Sequence, residues 1–269
     1  MNRVLPRLPD VSMPTQALAL RNASFVGWRR REVAPARAWA EQALPLWREL
    51  GDRHNEGLCL LSLSVVAQFA EDHAAYQAFS ASAAAIFRDI GAHKQLGHVL
   101  HNDGLHAIMV GDYARARECL EEALASARAI GNRDNISNGL CDLGVVALYE
   151  RRLEDAVDLF GQSLELASES RWHLNVAYDL GGLGCALASL GELAASARLL
   201  GVADAIHERL GEPLEPYAAR AYDECSEPVR SRLDEPELAA AWATGRAMSE
   251  ADAAAYAQSV VAERVPALD

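Results

Sequence analysis

The sequence predicts an all-α fold: a right-handed solenoid of five helical hairpins, closed by a helical C-terminal cap. Three observations predict it. Apolar and small residues recur at helical spacing, the pattern repeats with a forty-residue period, and each half-period closes on a turn-forming pair.

The segment from Gln95 to Gly131 shows the unit most clearly. Leu100, Gly104 and Ala107 precede a Gly111-Asp112 break; Tyr113, Ala116, Leu120, Ala123 and Ile130 follow it, so two amphipathic helices close into a hairpin. Steps of forty residues return the same chemistry. Leu20, Leu60, Leu100, Leu140 and Leu180 are all leucine, and Ser24, Ser64, Gly104, Gly144 and Gly184 are all small. In the second helix, Ala36, Tyr76, Ala116, Ala156 and Ser196 mark one position and Ala43, Ala83, Ala123, Ser163 and Ala203 another. The turns inside the hairpins fall at Arg31-Glu32, Glu71-Asp72, Gly111-Asp112, Arg151-Arg152 and Gly191-Glu192. The units end at Leu50-Gly51, Ile90-Gly91, Ile130-Gly131, Ser170-Arg171 and Leu210-Gly211, where glycine suits a helix C-cap.

This pattern resembles the tetratricopeptide (TPR) repeat, most plainly in Leu100-x2-Asp103-Gly104-x2-Ala107, Ala116-x3-Leu120 and Ala123. The period exceeds the usual thirty-four residues by six, so each helix gains nearly one turn. Such long units resemble the C-terminal sensor region of bacterial LuxR/maltose-regulator-like multidomain regulatory ATPases. That resemblance implies a non-catalytic recognition module in a transcriptional or signalling system.

Taken in order, residues 1–14, with Pro6, Pro9 and Pro14, read as an extended or disordered lead-in. Residues 15–211 hold the five repeats. In unit one Pro35 suits a helix start, whereas Pro45 is expected to kink or shorten the second helix. In unit two the bulk of Tyr76 requires a local gap, which Ser80 can supply. Residues 212–269 form the cap and tail, punctuated by Pro213, Pro216, Pro228 and Pro236; Ser249-Glu250-Ala251-Asp252 resembles a capping box opening a last helix to about Ala262. Tyr217, Tyr222, Leu233, Leu238, Trp242 and Tyr256 are available to cover the apolar face of the final hairpin. No comparable cap precedes unit one: either that face stands alone, or it meets a second copy or an upstream domain.

A formal net charge of −13 argues against direct nucleic-acid binding, which needs a basic stripe. No apolar run reaches membrane-spanning length and no secretory leader is evident, so the expectation is a cytoplasmic protein with no membrane partner. Cys59, Cys119, Cys141, Cys185 and Cys225 lack a CxxC pair and sit inside helical patterns, where buried reduced thiols are expected. No G-x-x-x-x-G-K-[ST] motif and no basic recognition helix accompany them, so neither ATP hydrolysis nor DNA reading is expected.

The TPR resemblance further implies that the first helix of each repeat lines a concave groove. Carried over to this chain, the groove comprises Phe25, Trp28, Arg29, Leu61, Val65, Phe69, His98, His101, Leu105, Met109, Asn138, Cys141, Tyr149 and Tyr178. Its apolar and aromatic character suits a small-molecule effector or the side chains of a protein or peptide partner. His98 and His101 share a helical face, but Asp103 and His106 do not complete it, so polar groove residues are the better reading than a metal site. Asp179-Leu180-Gly181-Gly182-Leu183-Gly184 lies at the small position of a repeat with no strand before it, and packing explains its glycines. Glu121-Glu122, Glu154-Asp155 and Arg151-Arg152 fall on the convex side, with nothing to oppose them across a cleft. The sequence therefore calls for no cofactor, no metal and no catalytic residue. A free-standing scaffold is the first alternative; an enzyme using His98, His101, Tyr149 or Tyr178 is a remote one.

Overall fold

The computed structural model describes residues 11–211 and 216–264, and the expected lead-in before Val11 and the tail after Arg264 lie outside them. Among the described residues all regular structure is helical, in the all-α helical-hairpin class of solenoid proteins. The ten helices of the repeat region are α1 (Met13–Arg29), α2 (Val33–Glu49), α3 (Arg53–Phe69), α4 (His73–Asp89), α5 (His93–Val110), α6 (Tyr113–Ala129), α7 (Arg133–Tyr149), α8 (Leu153–Ser170), α9 (His173–Leu190) and α10 (Leu193–Leu210). Three more follow: α11 (Pro216–Arg232), α12 (Glu235–Ala247) and α13 (Glu250–Arg264).

One local device sets this spacing. A residue of positive φ recurs every twenty positions from 31 to 211, filled by glycine at 51, 91, 111, 131, 191 and 211 and by Arg31, Glu71, Arg151 and Arg171 elsewhere. Each adopts the left-handed conformation that ends a helix. At the first turn Arg31 N–H donates to Trp28 C=O and Glu32 N–H to Gly27 C=O, the double bond of a Schellman motif, and the same pair recurs at the turns from Gly51 to Gly191. The next residue then starts the following helix; Asp52, Asp72, Asp112 and Asn132 each accept from the backbone N–H three residues on. Two residues thus end one helix and cap the next, leaving 17 or 18 for each helix of the repeat region. Pro45 does not shorten α2, which runs its full 17 residues; Pro45 and Glu41, whose carbonyl loses its donor, are both exposed, so water can take up the freed acceptor.

The chain divides into two compact units, Met1–Leu100 and His101–Asp269. A repeat array has no core common to all its hairpins, so contacts are made between near neighbours and separable bodies result. In the first unit α1 pairs with α2 and α3 with α4, around a core containing Ala17, Leu20, Ala43, Trp47 and Cys59.

In the second unit the small repeat position decides how closely the helices of a hairpin approach. A Cβ added at Gly104 would meet Leu120 at 2.5 Å, one at Gly144 would meet Phe160 at 2.8 Å, and one at Gly184 would meet Leu200 at 2.9 Å. Each glycine receives the large residue sixteen positions later. The Phe160 ring is held from a second side by Gly182, where an added Cβ would come within 2.3 Å of it. The glycines of α9 are thus packing residues.

The cap covers the second unit on several sides. α12 crosses α10 at backbone distance: a Cβ on Gly201 would meet the Trp242 carbonyl at 2.6 Å, and one on Gly245 the Arg198 carbonyl at 2.0 Å. Leu233, Leu238 and Trp242 join the apolar cluster of Ala188, Ala197 and Leu200, while Tyr256 packs with α13 on the larger core. The Tyr217 side chain lies outside the described residues. Ser249 caps α13 by accepting from Asp252 N–H at 3.1 Å, and Asp252 accepts the Ser249 hydroxyl at 2.6 Å instead of reaching back to the backbone.

The reduced-thiol expectation needs correction. Cys185 and Cys225, one forty-residue period apart, form a disulfide that joins α9 to α11; Cys59, Cys119 and Cys141 are free. The lack of a CxxC pair misdirected the reading, because helices stacked in register bring together residues one period apart.

Candidate ligand and partner-binding surfaces

In the first unit, five of the groove residues named from the sequence converge. Phe25 and Trp28 of α1, Leu61 and Val65 of α3, and His98 of α5 line a cleft of about 390 Å³, completed by Arg21, Asn22, Leu58 and Ser62. Phe25 is 48% exposed and meets Trp28 edge to face, with ring centroids 5.3 Å apart. Arg29 belongs to the same surface: its guanidinium stands 5.7 Å from the Phe25 ring and 6.0 Å from that of Trp28. Phe69 does not line the cleft; it is exposed and carries the Arg31 guanidinium 5.3 Å from its ring. Carrying the stripe through Phe25 and Leu61 back one helical turn would have found Arg21 and Leu58.

Arg21 donates to the side-chain oxygens of Asn55 and Asn22, both at 2.8 Å. Both acceptors are neutral amides. The indole N–H of Trp28 is shielded from solvent and has no acceptor among the described residues. The cleft wall is therefore apolar, with hydrogen-bond donors in excess and no carboxylate.

In the second unit the named residues have other occupations. His101 Nε2 lies 2.7 Å from Asp142 Oδ2, and although burial disfavours its charge, the hydrogen bond and charge of Asp142 raise its pKa above the ordinary value. Leu105 packs on the cluster of Ala107, Ile108 and Leu120, Met109 is exposed, and Asn138 is half-buried. Tyr149 stacks on Tyr113 at 4.7 Å, under the Arg220 guanidinium at 5.6 Å; burial, with the charge of Glu224, pushes its phenol up to about 12. Tyr178 meets His207 edge to face at 5.3 Å. Cys141 is buried.

The unpredicted feature here is α11, which lies against α9 and also touches α7 and α10. It brings Ala221 and Tyr222 over Cys141, Val145 and Tyr178, leaving a cavity of about 30 Å³, the size of a water molecule. Tyr222 anchors the helix by donating to Asp204 at 2.7 Å, and the disulfide fixes it again at Cys225. The chain itself thus fills the part of the inner face that contains Cys141 and Tyr178.

Beneath α11 lies a buried polar layer. Asn175 donates to the Ser137 hydroxyl at 2.9 Å, and the Ser163 hydroxyl donates to the Ser137 carbonyl at 2.9 Å. Asp179 is fully buried beside Ser163 and Cys141, without complete hydrogen-bond geometry at either oxygen, and burial drives its carboxyl well above the usual carboxylate range. Burial likewise pushes the Cys59 thiol up to about 12 and that of Cys141 well above its ordinary value, the reverse of what activates a thiol nucleophile. No helix among the described residues is long and apolar enough to cross a membrane.

Solved structures with this architecture include the nearly identical TPR-like repeats of a Podospora anserina kinesin light chain, at 14% identity, with 75% of this chain and 99% of that chain covered and a TM-score of 0.62. The apo form of RapI is similar over 80% of this chain and 84% of that one, at 14% identity and a TM-score of 0.58. These likenesses bear on the fold. No curated protein sequence matches the chain. Residues 92–169, which take in α5 to α7 and all but the last residue of α8, match the tetratricopeptide repeat family.

Proposed function

We propose that the chain is a non-catalytic recognition module of a bacterial transcriptional or signalling system, and that the cleft of the first unit is its binding site. The observation that carries this reading is the convergence of Phe25, Trp28, Leu61, Val65 and His98 around about 390 Å³ of open, largely apolar space, within the size range of small-molecule sites. Raised thiol and phenol pKa values and the engagement of His101 with Asp142 further support recognition over catalysis. A cytoplasmic setting fits the free thiols, whereas the Cys185–Cys225 pair favours an oxidising one; a thiol count on protein drawn from its own host separates them.

Leu61→Trp fills the cleft and tests the assignment. A random peptide library and a small-molecule library are screened by affinity selection on the native chain and on this variant. Binders to the native chain that are lost with Leu61→Trp, at unchanged helical content and melting temperature, support the reading. A screen whose binders all tolerate Leu61→Trp refutes it.

Pairing of two copies through the first repeat is a second reading, favoured by the exposed Val11, Leu18 and Val26 on or beside α1. A doubled mass in native mass spectrometry that Leu18→Glu abolishes supports it; a monomer at micromolar concentration refutes it.

A further inference from the structure

Resting on the assignment of the first-unit cleft as the binding site, we infer that its ligand is a small amphiphilic carboxylate, an anionic head on an aliphatic or aromatic body. The body follows from the walls. Phe25, Leu58, Leu61 and Val65, with the face of Trp28, offer apolar surface that a phosphate or a sugar would leave unused.

The head follows from the charges. The chain carries 38 acidic against 25 basic residues, and a number of its arginines are paired with carboxylates, among them Arg48 and Arg53 with Glu56, Arg117 and Arg152 with Glu150, Arg209 with Glu250 and Arg246 with Glu208. The cleft offers no such pairing. No acidic residue lines it, and neither Arg21 nor Arg29 has a carboxylate within ion-pair distance among the described residues. Asn22 and Asn55 hold the Arg21 guanidinium in place through one N–H each and leave its remaining donors available. The shielded Trp28 indole N–H adds a donor that lacks an acceptor. A carboxylate satisfies these groups together, accepting from a guanidinium that is weakly hydrated and shaped for it. A neutral alcohol would leave the charge unanswered, and an ammonium would be repelled.

The test is calorimetric titration of the full chain with sodium octanoate, 1-octanol and octylammonium chloride, below micellar concentrations, for the native protein, Arg21→Gln and Leu61→Trp, each checked by melting temperature. Octanoate is expected to bind one-to-one and at least about tenfold tighter than octanol, because only the carboxylate makes a charged hydrogen bond with the guanidinium. Arg21→Gln should remove that preference, with an unchanged melting temperature showing that the variant is folded. Leu61→Trp should abolish binding of both octanoate and octanol. Equal affinities for octanoate and octanol, both lost with Leu61→Trp, would overturn the carboxylate inference and leave the site standing. The inference also falls if the native chain ignores all three probes yet binds selected peptides that Leu61→Trp blocks. Octanoate binding that survives Leu61→Trp would overturn both.

Discussion

Gly144 and Gly139 lie on the same helix, yet alanine should have opposite effects at the two. An alanine at either gains about 1 kcal/mol of helix propensity over glycine. At Gly139 the new methyl meets Leu124 at 3.5 Å, an ordinary contact, so Gly139→Ala should stabilise the chain by up to about 1 kcal/mol. At Gly144 it would lie 2.8 to 2.9 Å from three atoms of the Phe160 ring, too close to be accommodated without movement. The ring cannot simply retreat, because Gly182 approaches it from α9 and its exposure is zero. Overpacking of this kind costs about 1–3 kcal/mol, which exceeds or cancels the propensity gain. Phe160→Leu alone should also destabilise by leaving a gap, but it makes room for the methyl, so Gly144→Ala with Phe160→Leu should be less destabilised than the sum, with a coupling of about 0.5–3 kcal/mol. Urea unfolding at constant m-value measures all four variants. Additive effects, within about 0.5 kcal/mol, would show that Gly144 is not small on account of Phe160. A destabilised Gly139→Ala would refute the use of these distances altogether.

Other consequences follow from the turns, the buried acid and the disulfide. Arg151 sits at φ 62° where six equivalent turns use glycine, and Arg151→Gly should raise the urea midpoint, relieving a left-handed conformation that costs a side-chain-bearing residue about 1 kcal/mol or more. Burial raises the Asp179 pKa in the folded chain, whereas in the unfolded chain the group ionises at about pH 4, so the stability contributed by its protonation is present below that pH and lost as pH rises toward the raised native pKa. Asp179→Asn should therefore raise the melting temperature more at pH 8 than at pH 4, and equal shifts at the two would show that the residue does not titrate out of step with the unfolded state. Reduction of Cys185–Cys225 opens a loop with a sequence separation of 40 and should lower stability by about 2–4 kcal/mol, with hydrogen exchange increasing first in α11; unchanged protection of α11 would mean that Tyr222 and its neighbours hold the helix without the bond.

The repeat and its turns were legible because their causes are local. Whether a residue at position 31 or 111 can reverse the chain, and whether the next can cap a helix, depends on the backbone and side chain of two or three residues, so reading every twentieth position located the helix ends. The pairing of Gly144 with Phe160 was half legible. The small position was visible, but which large residue fills it depends on how two helices cross. Half the cleft was legible in the same way, as a stripe on α1 and α3, while its ligand preference was not, since the uncompensated charge of Arg21 appears only when every carboxylate in reach is accounted for.

The placement of α11 came from tertiary structure alone. Composition and capping signals announced a cap, but a helix with apolar residues on one face can settle wherever matching surface is exposed, and the sequence offered both the end of the last hairpin and the inner face of α7 and α9. The structure uses both, α12 at the first and α11 at the second, because Tyr222 finds Asp204 and Cys225 finds Cys185 only from the inner face. Local periodicity determines the helices of this chain and where they turn; long-range complementarity decides which of its faces remain open.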